Sequence, residues 1–142
     1  MKKILVLNGP NINMTGKREP DKYGTMSLDD INKILAEKGK AAGAEIEFFQ
    51  SNSEGAIIDE IHRAMGKYDG VVINAGAYTH YSYAIRDAIS SVNVPFVEVH
   101  MTNVHKREEF RHKSTISSVC EGVICGFGYK SYIFAIEFLA EK

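Results

Sequence analysis

Arg18 and Tyr23 stand five residues apart in a polar connection that opens on Asn8-Gly9-Pro10-Asn11 and runs to Ser27. A guanidinium does not deprotonate, and set against a phenol, whose ordinary pKa is about 10, it favours the phenolate, a usable base. The same spacing equally suits a tyrosine that only packs beside a solvated arginine, and spacing alone does not choose between the two. Asn11, Asn74 and His100 follow apolar runs: Ile4 to Leu7, Gly70 to Ile73, and Pro95 to Val99. A carboxamide can donate to an oxyanion without adding charge, and an imidazole can carry a proton near neutral pH. Glu98 precedes His100 by two positions, on the same face of an extended chain, and an acid in an otherwise apolar strand needs a partner. The imidazole is the nearest one; pairing with some other base is the alternative. With His80 six residues after Asn74, these groups suit a small polar molecule held at one edge of a fold.

Other familiar sites are missing. A P-loop needs a glycine where Asn11 stands and a hydroxyl residue where Arg18 stands, and Gly126-Phe127-Gly128 reaches Ser131 instead of a third glycine. A phosphoacceptor receiver would close the third strand with aspartate, and Asn74 is there. His62, His80, His100, His105 and His112 show no tight ligand spacing, so no metal is expected. The chemistry falls to organic groups alone.

The elements that must position these groups alternate strand-like and helix-like periods. Ser27-Leu28-Asp29-Asp30 reads as a capping box, and Leu28, Ile31 and Leu35 form one helical stripe. Ala44 to Phe49 reads as a second strand, and Ile57, Ile58, Ile61 and Met65 mark a second helix. Gly70 to Ile73 is a third strand, followed by a helix through Tyr81, Ala84, Ile85, Ala88 and Ile89. Pro95 to Val99 and Glu121 to Cys125 are the last strands, and Tyr132, Ile133, Ile136 and Leu139 line a closing helix. Five βα units predict an α/β three-layer sandwich, flavodoxin-like, with a five-stranded parallel sheet in order 2-1-3-4-5. Ligands in such sheets bind outside the carboxyl ends of the strands, where Asn11, Asn74 and His100 fall. Gln50 to Asn52 and Gly126 to Gly128 also lie there and read as turn residues.

The 142 residues, 44% hydrophobic and 25% charged, suit one domain spanning 1–142. A net charge of -1 argues against a nucleic-acid partner, and no run approaches a membrane span or a signal-peptide core. Cys120 and Cys125, five apart in what reads as a strand, point to opposite faces and are not expected to pair, which suits a cytoplasmic protein. The long connection before Ser27 predicts a lid over about 17–26.

Taken together, Asn8-Gly9-Pro10-Asn11-Ile12-Asn13, Arg18-Glu19-Pro20 with Tyr23-Gly24, Asn74 to His80, Glu98-Val99-His100 and Arg107 to His112 resemble type II 3-dehydroquinate dehydratase over essentially the whole chain. Met14-Thr15 in place of a usual Leu-Leu pair, Thr102 where serine is commoner and Cys125 where a small polar residue is common are departures; none removes a reacting group. The resemblance implies dehydration of 3-dehydroquinate to 3-dehydroshikimate through an enolate, in the shikimate pathway, without a metal or organic cofactor. It implies Tyr23 as proton acceptor, Arg18 as transition-state stabiliser, His100 as proton donor steadied by Glu98, and Asn11 at the enolate, acting through a water. It further implies that Asn74 and the backbone amides of Met101 and Thr102 receive the substrate carboxylate, while His80 and Arg111 hold ring hydroxyls. Arg107, in Lys106-Arg107-Glu108-Glu109, reads equally as a lid contact or a solvated helix charge. Asp87 is implied to reach into a neighbour's site within trimers that assemble into a homododecamer; its spacing alone suggests only a surface salt bridge. A related dehydratase for another cyclic hydroxyketone is one alternative. Another is a non-catalytic anion-binding or nucleotide-sensing module on the same fold, which would need neither Tyr23 nor His100.

Overall fold

A computed structural model describes residues 1–17 and 25–142. Its centre is a five-stranded sheet of β1 (Lys2–Asn8), β2 (Ala44–Gln50), β3 (Gly70–Asn74), β4 (Phe96–His100) and β5 (Gly122–Cys125). The order is β2-β1-β3-β4-β5, with every neighbouring pair parallel. Each strand of the three central positions is buried on both faces, as a parallel sheet covered by helices requires.

Alternation along β1 divides the core in two. Leu5 and Leu7 face one side with Val71, Ile73 and Phe96, where α2 (Glu54–Arg63) and α3 (Tyr83–Ser91) supply Ile57, Ile61, Ile85 and Ile89. Ile4 and Val6 face the other side with Val72, Val97 and Val99, under α1 (Leu28–Ala41) and α4 (Lys130–Glu141), which supply Ile31, Leu35, Tyr132 and Ile136. The expected capping box closes α1: the Asp30 N–H donates to Ser27 Oγ at 3.1 Å, and the Ser27 N–H donates to the Asp30 carboxylate at 3.2 Å.

Register brings the polar strand ends together. Asn8 pairs with Gln50 on one side and Asn74 on the other, and His100 pairs with Cys125. The departures from the sequence reading lie at element ends. Met65 falls beyond α2, and Tyr81 lies before α3; both are exposed, as is Ala84 within α3. Cys120 ends a 3-10 turn ahead of β5, so it is not on that strand. The fourth βα unit has no α-helix: β4 connects to β5 through 3-10 turns at Val104–Lys106, Glu109–His112 and Ser117–Val119. That segment carries no apolar stripe of helical period, and its side chains serve the site instead.

Candidate active site

The loop after β1 turns sharply because Gly9 lets two backbones meet. A Cβ there would lie 2.5 Å from the Ala75 carbonyl oxygen, and the Gly9 N–H donates to the Asn74 carbonyl at 2.8 Å. Asn11 follows in the left-handed region at φ 69°, a conformation asparagine tolerates better than most residues. Its N–H donates to Asn52 Oδ1 at 3.0 Å, while Gln50 Nε2 donates to the Gly9 carbonyl at 3.1 Å and to Asn52 Oδ1 at 3.2 Å. Gln50 and Asn52, which read as turn residues, therefore hold the Asn11 loop in place. Thr15 ends the turn, buried, with its hydroxyl donating to the Ile12 carbonyl at 2.5 Å.

Asn74 closes β3 and is buried, its carboxamide fixed at both ends. Its Oδ1 accepts from the Gly76 N–H at 3.1 Å, and its Nδ2 donates to the Tyr132 hydroxyl at 2.9 Å. Tyr132 passes the chain on by donating to Asn8 Oδ1 at 2.7 Å. Burial pushes its phenol up, so it stays protonated and serves as a fixed relay between three elements.

Glu98 and His100 project from one face of β4 and meet at 2.6 Å between Oε2 and Nε2. The acid is 1% exposed. Burial alone would raise its pKa, but the His100 hydrogen bond and charge, with hydroxyl donors from Ser117 and Ser114, outweigh that and hold it below the usual carboxylate value. The His80 ring stacks near His100, with centroids 6.2 Å apart and planes 19° from parallel, and Phe110 meets its edge. His80 Nδ1 donates to the Lys113 carbonyl at 2.8 Å. Burial lowers the His80 pKa, and the neighbouring His100 and Arg111 add to that against the raising effect of the carbonyl. His80 is thus a neutral ring with Nε2 as its acceptor.

Beyond β4, Met101 is buried and its carbonyl accepts from the Gly128 N–H at 2.9 Å. Thr102 Oγ1 accepts from Arg107 Nη1 at 3.3 Å. Arg111 donates through Nε to Glu108 at 2.9 Å; the Glu108 carboxyl is held down to about 2 by its own N–H and by Arg111.

One pocket collects most of these groups. Asn11, Asn74, His80, His100, Met101, Thr102 and Arg111 all line it, with Glu98 directly behind His100. Arg107 and Thr15 line it too. Arg107 reads in sequence as a possible solvated charge, yet its side chain is only 11% exposed. Asp87 stands elsewhere: it lies on α3, 73% exposed, and pairs with Arg86 at 2.9 Å. Arg18 and Tyr23 lie outside the described residues, as does most of the lid expected over 17–26. Among the described residues, no group of three or more His, Cys, Asp or Glu side chains is placed to hold a metal ion, and no helix is long and apolar enough to cross a membrane.

Two arginines, a carboxamide fixed at both ends and a buried carboxylate–imidazole pair around one pocket define a flavodoxin-like α/β protein with the groups that acid–base chemistry uses. The chain belongs to the family described as Dehydroquinase class II, whose profile matches residues 2–140. It is 58% identical over 142 residues to a 3-dehydroquinate dehydratase of Caldicellulosiruptor bescii, covering 99% of this chain and 98% of that one. It is 54% identical to a catabolic 3-dehydroquinase of Debaryomyces hansenii, covering 100% and 99% of the two chains. The crystal structure of a type II dehydroquinase from Butyrivibrio crossotus superposes with a TM-score of 0.95 at 52% identity, over 97% of both chains.

Proposed function

We infer that this chain is a hydro-lyase that converts 3-dehydroquinate to 3-dehydroshikimate, a step of the shikimate pathway towards aromatic amino acids. Full-length identity above one half with proteins named for this reaction supports the activity. The observation that carries the chemistry is the Glu98–His100 pair, buried and facing a pocket that two arginines make receptive to a carboxylate.

The reaction removes a proton beside the ketone, stabilises the resulting enolate and expels hydroxide as water. In our proposal the Tyr23 phenolate, favoured by Arg18, takes the α-proton. Asn11 steadies the enolate oxygen through a water, and the positive φ that its loop fixes is what aims it. His100 gives a proton to the leaving hydroxyl. Glu98 occupies its Nε2, so the proton that leaves is the one on Nδ1, and the water formed carries the oxygen away. The backbone N–H groups of Met101 and Thr102, with Asn74, receive the carboxylate, and Arg107 adds charge beside them. Arg111 and the neutral His80 hold the ring hydroxyls. No metal or organic cofactor takes part.

Residues 1–142 form a single catalytic domain in this proposal, with 17–26 as its lid. The enzyme works in the cytoplasm as a dodecamer built from trimers, in which Asp87 contributes to the neighbouring site. Incubation with 3-dehydroquinate tests the reaction: the conjugated enone of the product absorbs in the ultraviolet. No gain in absorbance would overturn the activity.

A further inference from the structure

The Glu98 carboxylate is held from two sides, and only one of them is the imidazole. Its Oε2 is bonded to His100 Nε2, while its Oε1 accepts from the Ser117 hydroxyl at 2.5 Å and from the Ser114 hydroxyl at 2.9 Å. Neither serine lines the pocket. The direction of the Ser114 hydroxyl is settled locally: its oxygen accepts the N–H groups of Ile116 and Ser117 at 3.2 and 3.1 Å, so its own proton goes to the carboxylate. The stretch that carries both serines is pinned to the loop after β3. Thr115 donates its N–H and its hydroxyl to the Thr79 carbonyl at 2.8 and 2.9 Å, and the Lys113 carbonyl receives His80 Nδ1.

We propose that Ser114 and Ser117 are positioning residues for the proton donor, holding the Glu98 carboxylate in the orientation that fixes the His100 ring. The proposal rests on the reading of His100 as the acid. Two hydroxyl donors spread the charge on Oε1 and keep the carboxylate a weak base, so the shared proton stays on the imidazole. Without them, two of the groups that oppose burial are gone, only His100 still holds the carboxyl down, and it would take a proton more readily. The titratable groups that face Glu98 are His100 on its own strand, His80 from the loop after β3, and Cys120 from the turn before β5. The Cys120 thiol, pushed up to about 12 by burial and by the Glu98 charge, is neutral and supplies no competing anion.

The test compares Ser114→Ala, Ser117→Ala and their double variant with Ser117→Thr, which keeps a hydroxyl. Because the serines do not line the pocket, the double variant should lose about tenfold in kcat, less than the ~10²–10⁴ that the acid–base group itself contributes, with KM changed by less than about twofold. The acidic limb of its kcat–pH profile should move to higher pH as Glu98 protonates more easily, and Ser117→Thr should keep most of the activity. Wild-type kcat and acidic limb in the double variant would overturn the proposal. So would an equal loss in Ser117→Thr, or failure of both single alanine variants to fold, because either assigns the serines to the fold alone. His100→Gln, measured alongside, separates the two levels. If it is inactive while the serine variants are unaffected, only the positioning role falls; if it is active, the reading of His100 as the acid falls.

Discussion

At Glu98 the competition between burial and hydrogen bonding gives the molecule a pH-dependent term with a definite sign. Its carboxyl lies below the ordinary value in the folded state, so the stability it contributes is present above the unfolded pKa of about 4.3 and is lost as pH falls through the lower, folded value. Glu98→Gln should therefore cost about 1–3 kcal/mol at neutral pH, chiefly by leaving hydroxyl and imidazole donors poorly met. The difference from wild type should shrink below about pH 4. Denaturant unfolding of both proteins at the two pH values checks this, and a gap that does not change with pH would contradict it. The proposed base gives a second prediction: Tyr23→Phe should keep fold and substrate binding but lose nearly all turnover. Arg18→Lys should also fail, because a point charge does not reproduce the planar guanidinium. A phenylalanine variant with more than about a tenth of wild-type kcat, roughly 1.4 kcal/mol of barrier, would place the base elsewhere. The Glu98–His100 pairing was legible from a two-residue spacing in a strand, since alternation dictates the shared face. The inward side chain of Arg107 was not, because a run of 3-10 turns gives charged residues no regular inside and outside.

Elements were most legible where a periodic apolar pattern met a cap. Ser27 and Asp30 announce the start of α1, and Tyr132, Ile133, Ile136 and Leu139 announce the buried face of α4. The ends blurred where aromatic residues continue an apolar pattern beyond the helix, as at Tyr81, and the β4–β5 connection gave no periodic signal at all. What the pattern could not reveal is that α4 also fastens the site. Tyr132 looks like one more core residue, yet its hydroxyl joins Asn8 and Asn74 at the ends of β1 and β3. Tyr132→Phe keeps the ring volume and removes the relay, leaving a buried amide donor and acceptor short of partners. It should cost about 1–3 kcal/mol, seen as a lower denaturant midpoint with an unchanged slope. In our reading Asn74 receives the carboxylate, so KM should rise in the same variant. Unchanged stability together with unchanged KM would show that the three-residue chain is incidental. Ser27→Ala, which does not line the pocket, should cost about 1 kcal/mol by removing the cap, again read as a lower denaturant midpoint.

The whole molecule leaves a question that one chain does not answer internally, namely what its exposed aromatic surface and Asp87 are for. Tyr81 and Tyr83 are 59% and 71% exposed where α3 begins, and Asp87 stands one turn further along that helix with a largely solvated side chain. Phe127, Phe134 and Phe138 expose a second apolar surface on the β5–α4 side, where Phe127 and Phe134 meet edge to face. Contiguous apolar surface on a small domain commonly marks a contact with another chain. The exposed Arg86–Asp87 pair adds little to the stability of its own subunit. In the proposed trimer Asp87 instead works across the interface, completing the ring-hydroxyl pocket of the neighbour. Asp87→Ala should then leave each subunit as stable as wild type while weakening assembly or raising KM. Sedimentation and activity followed together through serial dilution decide the matter. If the shared site is real, specific activity falls as the assembly dissociates, and mixing Asp87→Ala subunits with His80→Ala subunits restores some intact sites. An isolated monomer with full activity would show that each pocket is complete within its own chain.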